Sequence, residues 1–282
     1  MKYDVIIPTA GKDINLIEGN SEFYLRNLGA DNIFIITSKK NFREIPGVFF
    51  LDEDQILSFT KSDLDNYFLS RIGSAKRSGW YYQQFLKLGF SFISKNKFYL
   101  SWDADTIPLR KIAFFKKGIP LFNVKSEFNE PYFETMERCF NLKKSISKSF
   151  ISEHMVFNKE YVIEMLNLAG SNPFYKILDS VSLADLPKSG FSEFETYGTF
   201  LCKYHPNDFK IRHLRTLRNG SEMLSEQERN NCQILEYFGK SFDTILFEDW
   251  SKQKSKNGLI SNKAFRFFVN PNFFVFFSKR KK

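Results

Sequence analysis

Short apolar segments that end in turn residues are the feature that most constrains the fold of this chain. Residues 3–7 (YDVII), 32–37 (NIFIIT) and 47–51 (GVFFL) are rich in β-branched and aromatic side chains, which is typical of buried strands. A helix that ends at Gly29 is indicated between the first two by residues at helical spacing: Ile17, Ser21, Tyr24 and Leu28. This alternation predicts βαβ units and an α/β fold with a largely parallel sheet.

A second helix, over about residues 79–93, leads into a strand at 97–102 (KFYLSW). One face of this helix is apolar and is predicted to face the core: Tyr81, Phe85, Leu88 and Phe92. Another face suits either a ligand groove or a half-exposed surface: Trp80, Gln83, Gln84 and Lys87. The rest of the pattern predicts strands at 120–124 and 154–158 and helices at 159–170 and 192–205.

Composition limits the classes of protein to consider. With 282 residues and 43% apolar side chains, the chain can bury the core of one large domain, with or without an appendage. The formal charge of +9 favours an anionic partner, but four of the 41 basic residues occupy the last four positions. Cys139, Cys202 and Cys232 lack any ligand spacing, which argues against a disulfide framework or a zinc site. The apolar run before Pro8 is too short for a signal peptide, so the sequence predicts a cytoplasmic protein.

Two carboxylates, Asp103 and Asp105, follow the predicted strand at 97–102. Ligands of open α/β sheets bind outside the carboxyl ends of the strands, and Mg²⁺ and Mn²⁺ prefer oxygen ligands of this kind. The pair therefore suits a divalent cation, or a cation together with a sugar hydroxyl. Asp, Thr and Pro are also good turn formers, so a structural turn explains the segment by itself as well.

Four segments stand in a fixed order along the chain: GWYYQQFLKL (79–88), YLSWDADT (99–106), EHMVF (153–157) and SEFETYG (192–198). In this order they resemble bacterial glycosyltransferases of the GT-A fold, in particular capsule and lipopolysaccharide-type enzymes. The resemblance covers residues 1–215 and implies a GT-A-like catalytic domain with a Rossmann-type, mostly parallel sheet flanked by helices. It implies a nucleotide-sugar half at about 1–125 and an acceptor half at about 126–215. Residues 216–282 are then a C-terminal extension that packs on the domain or contacts a membrane.

The resemblance implies a divalent cation, Mn²⁺ or Mg²⁺, held against the diphosphate of the donor. Asp105 is then the direct metal ligand, Asp103 contacts the ribose or a second position on the metal, and His213 is a candidate third ligand. The donor itself would contact the first loop, the second helix and the following strand: Thr9, Gly11, Lys12, Arg77, Gln83, Gln84, Lys87 and Asp103. A simple turn at the end of the first strand is the alternative interpretation of the first loop.

On the acceptor side the resemblance implies contacts from three residues: Glu153, His154 and Tyr197. An inverting transfer also needs a carboxylate that accepts the proton of the acceptor hydroxyl. Glu193 or Glu195 would supply it at the start of the last helix, with Asp103 as the third member of the catalytic set. Ser192 and Glu195 also form the pattern of a capping box, which explains Glu195 by structure alone and favours Glu193 as the base.

The sequence therefore predicts a metal-dependent glycosyltransferase that moves a sugar from a nucleotide-sugar, with a UDP-sugar favoured, to a capsule, lipopolysaccharide or other lipid-linked acceptor. A nucleotidyltransferase of similar fold is the alternative. It expects a glycine-rich loop with Arg after the first strand, whereas residues 7–16 have one glycine and no Arg. A basic nucleic-acid-binding protein is a further alternative, but the sequence has no recognition motif, and no nucleic-acid partner is predicted.

The C-terminal segment 263–282 (KAFRFFVNPNFFVFFSKRKK) has seven Phe and ends in four cations. Aromatic and basic side chains suit peripheral contact with the inner face of an anionic membrane, and they suit equally a terminal strand or helix docked on the core. Pro271, between two Asn residues, interrupts the apolar run, so the segment does not predict a membrane span.

Overall fold

The computed structural model describes residues 1–247, and the predicted C-terminal segment 263–282 lies outside the described residues. The described strands, in chain order, are β1 (Tyr3–Pro8), β2 (Asn32–Thr37), β3 (Phe49–Asp52), β4 (Phe98–Trp102), β5 (Thr106–Pro108), β6 (Phe115–Lys116), β7 (Ile119–Asn123), β8 (His154–Asn158), β9 (Lys210–Arg212), β10 (Thr216–Leu217) and β11 (Thr244–Leu246). They form one sheet of five strands and two sheets of three within this part of the chain.

Helices flank the large sheet, and some of them begin or end at residues with local capping preferences. The described α-helices are α1 (Ile14–Gly19), α2 (Ser21–Leu28), α3 (Lys61–Ile72), α4 (Ser78–Gly89), α5 (Glu130–Phe140), α6 (Lys159–Asn167), α7 (Pro173–Ser180), α8 (Glu193–Tyr204), α9 (Gly220–Met223) and α10 (Cys232–Gly239). Ser192 caps the start of α8, and Gly29 ends α2 in the left-handed region with a φ of 64°.

The large sheet has the strand order β3-β2-β1-β4-β8. The first four strands are parallel, and β8 runs antiparallel to β4. Every residue of β1, β4 and β8 is buried, as expected for a sheet that is covered on both faces. The predicted α/β fold with a mostly parallel sheet flanked by helices is confirmed.

The strand order creates a switch point between β1 and β4. From β1 the chain moves outward through β2 to β3, and then crosses back to β4 on the other side of β1. At such a point the loops after the two strands diverge, and ligands of open α/β sheets bind in the crevice between them. Because β8 is antiparallel, its first residue, His154, pairs with Trp102 at this same edge of the sheet.

The first predicted helix is divided into α1 and α2 at Asn20. The Asn20 side chain donates to the Leu16 carbonyl at 2.8 Å and to Asn230 Oδ1 at 2.9 Å. A Cβ on Gly19 would lie 2.7 Å from the Asn230 side chain. The helix therefore breaks where a residue 210 positions away in the chain packs against it, which local periodicity does not reveal.

The second predicted helix ends earlier than its apolar spacing indicates. Helix α4 ends at Gly89, and a 3₁₀ turn follows over Phe90–Phe92. This tighter turn rotates successive residues by about 120° instead of about 100°. The predicted place of Phe92 in the core is therefore wrong, since its side chain is 53% exposed.

The described part of the predicted C-terminal extension, residues 216–247, pairs with the loop that follows β4. Strand β11 runs antiparallel to β5 and parallel to β10. The Phe247 N–H donates to the Asp105 carbonyl at 2.8 Å. This part of the chain therefore binds the backbone of the loop that carries the two predicted metal-binding aspartates. No helix within residues 1–247 combines the length and the apolar character that a bilayer span requires.

Gly198 lets α8 pack directly against Phe150. A Cβ at Gly198 would lie 2.3 Å from the Phe150 ring, so Gly198→Ala is expected to lower the free energy of unfolding by about 1–3 kcal/mol through overpacking. Gly79→Ala is the matched control in a helix, because its Cβ would contact only the Lys61 side chain, at 3.4 Å. Urea unfolding followed by circular dichroism measures both variants, and equal stability of the two contradicts the packing described here.

Candidate active site

Asp103 and Asp105 lie on the loop after β4, at the carboxyl edge of the large sheet. The Asp103 N–H donates to the Glu153 carbonyl at 2.9 Å, and the Asp103 carbonyl accepts from the Thr106 N–H at 3.1 Å. Both aspartates are partly exposed, whereas Ala104 between them is buried. The backbone turn therefore holds two carboxylates beside the switch point of the sheet.

The Lys87 ammonium lies between two carboxylates, and we call Lys87, Asp103 and Glu193 the Lys87 network. Lys87 Nζ donates to Asp103 Oδ1 and to Glu193 Oε1, each at 2.7 Å. It also lies 4.3 Å from the centre of the Phe194 ring. Burial lowers the pKa of Lys87, but the two carboxylates outweigh burial and raise the pKa above its ordinary value. A fixed positive charge thus joins the loop after β4 to the start of α8.

The pKa of the Asp103 carboxyl group is raised toward neutral pH. Burial raises its pKa from the ordinary value of 3.8 to about 6. Lys87 opposes this rise, and the negative charges of Glu193 and Glu153 add to it. Titratable groups with such perturbed pKa values are concentrated at functional sites of proteins.

Two glutamines of α4 connect this network to the neighbouring elements. Gln83 Nε2 donates to the Pro8 carbonyl at the end of β1 at 2.6 Å, and Gln84 Oε1 accepts from the Glu193 N–H at 3.2 Å. The buried Gln84 Nε2 has no hydrogen-bond partner among the described residues. Helix α4 thereby brings together the ends of β1 and β4 and the start of α8.

The loop after β1 packs against the end of β2. The Thr9 N–H donates to the Ile36 carbonyl at 3.0 Å, and the Gly11 N–H donates to Thr9 Oγ1 at 3.4 Å. Gly11 has a φ of 98°, and a Cβ there would lie 2.7 Å from Asn41 Nδ2. Only glycine fits this loop, because both the backbone conformation and the space exclude a side chain.

Lys12 and Arg77 lie outside the Lys87 network. Lys12 lines a cavity of about 360 Å³ together with Phe247, the residue whose N–H binds the loop of Asp105. Arg77 donates to Ser189 Oγ at 2.6 Å, and its guanidinium carbon lies 4.4 Å from the centre of the Trp80 ring. Their predicted roles in donor binding remain predictions.

His213 is exposed directly after β9. Within residues 1–247, no three His, Cys, Asp or Glu side chains are grouped closely enough to hold a metal ion. The structure therefore does not gather His213 with Asp103 and Asp105 into the predicted set of three ligands.

Ser192 and Glu195 form half of the predicted capping box. Ser192 Oγ accepts from the Glu195 N–H at 3.3 Å, as predicted. The Glu195 carboxylate does not return to the cap: it accepts from the Phe150 N–H at 2.6 Å and from Ser149 Oγ at 2.9 Å, and it pairs with Lys144 at 3.1 Å. The prediction of a reciprocal capping box is therefore wrong, because contacts distant in sequence hold this fully buried carboxylate.

His154, a predicted acceptor contact, is buried beside β4. Its ring stacks on Trp102 with 5.1 Å between ring centres, and its Nε2 lies 2.9 Å from Arg212 Nη2. Burial lowers the pKa of His154 well below its ordinary value, and the charges of Arg212 and Lys125 lower it further. A neutral imidazole accepts the hydrogen bond from Arg212 and leaves the proton on Nδ1, which has no partner among the described residues.

Glu153 and Tyr197, the other predicted acceptor contacts, are also buried. Glu153 forms an ion pair with Lys125 at the carboxyl edge. The Tyr197 hydroxyl accepts from the Asn158 N–H at 2.9 Å, at the opposite end of β8. The sequence did not predict Lys125 as the partner of Glu153, because no local pattern signals a contact between residues 28 positions apart.

No protein-family model matches this chain, and no curated protein sequence matches it either. Among solved structures, mouse xyloside xylosyltransferase 1 is similar with a TM-score of 0.43 and 12% identity, over 87% of this chain and 97% of that chain. An active-site mutant of LgtC gives a TM-score of 0.46 and 9% identity, over 94% and 95%. Galactosyltransferase LgtC in complex with donor and acceptor sugar analogues gives 0.44 and 9%, over 93% and 94%. The fold class of this chain rests on its own strand order.

The Lys87 network predicts that removal of its ammonium group lowers the free energy of unfolding. Lys87→Met leaves Asp103 and Glu193 close together without a counter-charge, which is expected to lower the free energy of unfolding by about 3–5 kcal/mol in urea titrations near pH 7.5. The exposed Lys95 provides a control, since Lys95→Met is expected to change stability by less than about 0.5 kcal/mol. Addition of Glu193→Gln to Lys87→Met should restore part of the loss. If Lys87→Met is as stable as Lys95→Met, the network does not stabilise the fold.

The raised pKa of Asp103 predicts a stability that depends on pH. In the wild type, ionised Asp103 opposes folding increasingly as the pH rises from the unfolded pKa, about 3.9, to the folded pKa of about 6. Asp103→Asn lacks this titration, so its Tm relative to wild type is expected to rise between about pH 4.5 and about pH 7.5, by about 2–4 °C per kcal/mol of cost removed. Calorimetry of both proteins measures this, and an unchanged Tm difference contradicts it.

Proposed function

We propose that this protein is a glycosyltransferase that moves a sugar from a nucleotide-sugar, in the favoured case a UDP-sugar, to a surface-glycan or lipid-linked acceptor. The observation that carries the proposal is the position of the Lys87 network at the switch point between β1 and β4. Ligands of open α/β sheets bind at such points, and this one has both polar backbone and carboxylate groups around it.

The donor lies in the crevice between the ends of β1 and β4. On one side lies the loop with Thr9 and Gly11, in which the Asn41 side chain occupies the space that a Cβ on Gly11 would need. On the other side Asp103 and Asp105 offer carboxylate oxygens to ribose hydroxyls or to a cation. The buried amide of Gln84 accepts from the Glu193 N–H at the start of α8, and its Nε2 has no hydrogen-bond partner among the described residues.

The two aspartates fit a divalent cation that takes few ligands from protein. Mg²⁺ and Mn²⁺ are commonly bound through one or two carboxylates, and substrate phosphates and water complete the coordination. Asp105 is the proposed direct ligand, and Asp103, one oxygen of which accepts from Lys87, is the proposed second contact. A bound cation would supply positive charge against the diphosphate that leaves.

The proton of the acceptor hydroxyl is taken up by a residue of the chain itself. Transfer breaks the bond from the anomeric carbon to the diphosphate and forms one to the acceptor oxygen, whose proton needs an acceptor. Glu195 is occupied by Ser149 and Phe150, whereas Glu193 shares Lys87 with Asp103. We therefore assign the proton acceptor to Glu193 and its orientation to Lys87.

A donor-hydrolysis screen over UDP-, GDP- and dTDP-sugars, with and without Mn²⁺, tests this proposal. Asp105→Asn is expected to slow release of the nucleoside diphosphate by about 10²-fold or more, because it weakens binding of the cation that stabilises the leaving group. Asp31→Asn is the matched control, since Asp31 is exposed before β2 at the opposite end of the sheet and its substitution should leave the rate unchanged. Equal rates for the two variants, or no hydrolysis of any donor by wild type, would rule the proposal out.

A further inference from the structure

The amino edge of the large sheet lies at the opposite end of the sheet from the Lys87 network. Strands β1 to β4 begin at this edge, and the antiparallel β8 ends there. The turn between β6 and β7 lies at the same edge, because the Phe115 ring in β6 lies 5.3 Å from the rings of Tyr3 and Phe98, the first residues of β1 and β4. Segments that are distant in sequence therefore meet at one end of the protein.

Exposed cationic side chains are concentrated at this edge. Three exposed acids lie there as well, Asp31 before β2, Glu160 after β8 and Asp208 before β9, and the buried Asp4 carboxylate accepts from two asparagine side chains. Six exposed lysines outnumber these acids, and we call them the edge lysines: Lys2, Lys95, Lys97, Lys116, Lys117 and Lys210. The balance of charge among the described residues at the edge is therefore positive.

Lys117 lies at a turn position that lysine rarely occupies. Its φ is 52°, and the φ of Gly118, the next residue of the turn, is 78°. A two-residue hairpin turn with positive φ at both positions favours Asn, Asp or Gly at the first. The turn therefore carries a lysine where another residue would cost less free energy, which indicates a role for its charge.

Apolar side chains are exposed among the edge lysines. Phe49 and Phe92 are each 53% exposed, and Ile93 is 44% exposed. Phe49 and Ile93 line a cavity of about 620 Å³ together with Lys2 and Lys95. Apolar surface of this kind costs free energy in water unless a partner covers it.

Two classes of anionic partner match the charge of this edge, and its apolar side chains favour one of them. Nucleic-acid sites combine cations with polar contacts to phosphates and with rings on which bases stack. An anionic bilayer presents negative headgroups above an apolar layer, and it attracts Lys side chains that stand beside aromatic and aliphatic ones. The edge has this second arrangement, since Ile93 and Phe92 directly precede Lys95.

We propose that the amino edge binds the surface of an anionic lipid bilayer. The edge lysines contact the headgroups, and Phe49, Phe92 and Ile93 insert between them. Strand β1 spans six residues, about 20 Å, so the Lys87 network at its other end faces away from the bilayer and stays open to solutes. This inference goes beyond the proposed function, does not depend on sugar transfer, and concerns residues other than the predicted C-terminal segment.

Co-sedimentation with vesicles tests this surface in the full chain. Wild type is expected to bind vesicles of two parts phosphatidylcholine to one part phosphatidylglycerol, and to bind phosphatidylcholine alone much more weakly. Lys95→Gln combined with Lys116→Gln is expected to weaken binding to the mixed vesicles about 30-fold, because each cation near an anionic surface contributes to binding. Phe92→Ser is expected to weaken it about fivefold, because a polar side chain gains little from insertion.

Lys143→Gln combined with Lys188→Gln is the matched control, since it removes the same charge from side chains that are 75% and 72% exposed. Both lie toward the carboxyl edge: the Lys188 carbonyl accepts from Arg77 before α4, and Lys143 precedes Lys144, which pairs with Glu195 in α8. This variant should bind the mixed vesicles within about twofold of wild type, because its cations lie far from the bilayer. Circular dichroism shows whether each variant is folded.

Failure of wild type to bind the mixed vesicles overturns the proposal. Equal binding by the two double variants also overturns it, because binding then comes from another part of the chain, such as segment 263–282, which both variants keep. A single-stranded DNA oligonucleotide is a further probe: if the Lys95 and Lys116 variant loses binding to DNA while wild type ignores vesicles, the edge is a nucleic-acid surface instead. Vesicle binding that depends on Lys95 and Lys116, in a protein that hydrolyses no nucleotide-sugar, supports the membrane surface while it refutes the proposed transfer reaction.

Discussion

The ammonium group of Lys87, held between Asp103 and Glu193, is the interaction on which the rest of the site depends. These three charges come from α4, from the loop after β4 and from the start of α8. Glu193 is buried, whereas Asp103 is partly exposed, and a buried carboxylate is tolerable only while the ammonium group remains close. The position of one element is therefore tied to the other two, and the glutamines of α4 extend this coupling to the end of β1.

The charged form of Asp103 is disfavoured at its position in the site. Asp103 remains harder to ionise than an ordinary aspartate even with Lys87 beside it, because burial and two neighbouring carboxylates oppose its charge. A positive charge close to this carboxylate favours its ionised form, as Lys87 does. Glu153 pairs with Lys125, Glu195 accepts from the Phe150 N–H, and His154 accepts from Arg212. Glu153 Oε2 and His154 Nδ1 are nevertheless buried without a hydrogen-bond partner among the described residues.

Local sequence was sufficient for much of the fold. Segments such as 32–37 and 154–158 were predicted as strands, and both have those bounds in the structure. The position of Asp103 after a buried strand also followed from the sequence, since apolar runs and turn residues act within a few positions. The division of the first helix at Asn20 and the exposure of Phe92 did not, because one depends on Asn230 and the other on a change of helix type.

By itself the sequence determined the alternation of strands and helices, the parallel sheet and the placement of two aspartates at its carboxyl edge, because each follows from periodicity and turn chemistry of neighbouring residues. Only the tertiary structure decided which partner each acidic side chain has. Lys87 meets Glu193 across 106 positions, and Glu195 meets Phe150 across 45. Pairings of this kind depend on how whole elements pack, and side chains of the same type, such as Glu193 and Glu195, differ only in the partners that packing brings to them.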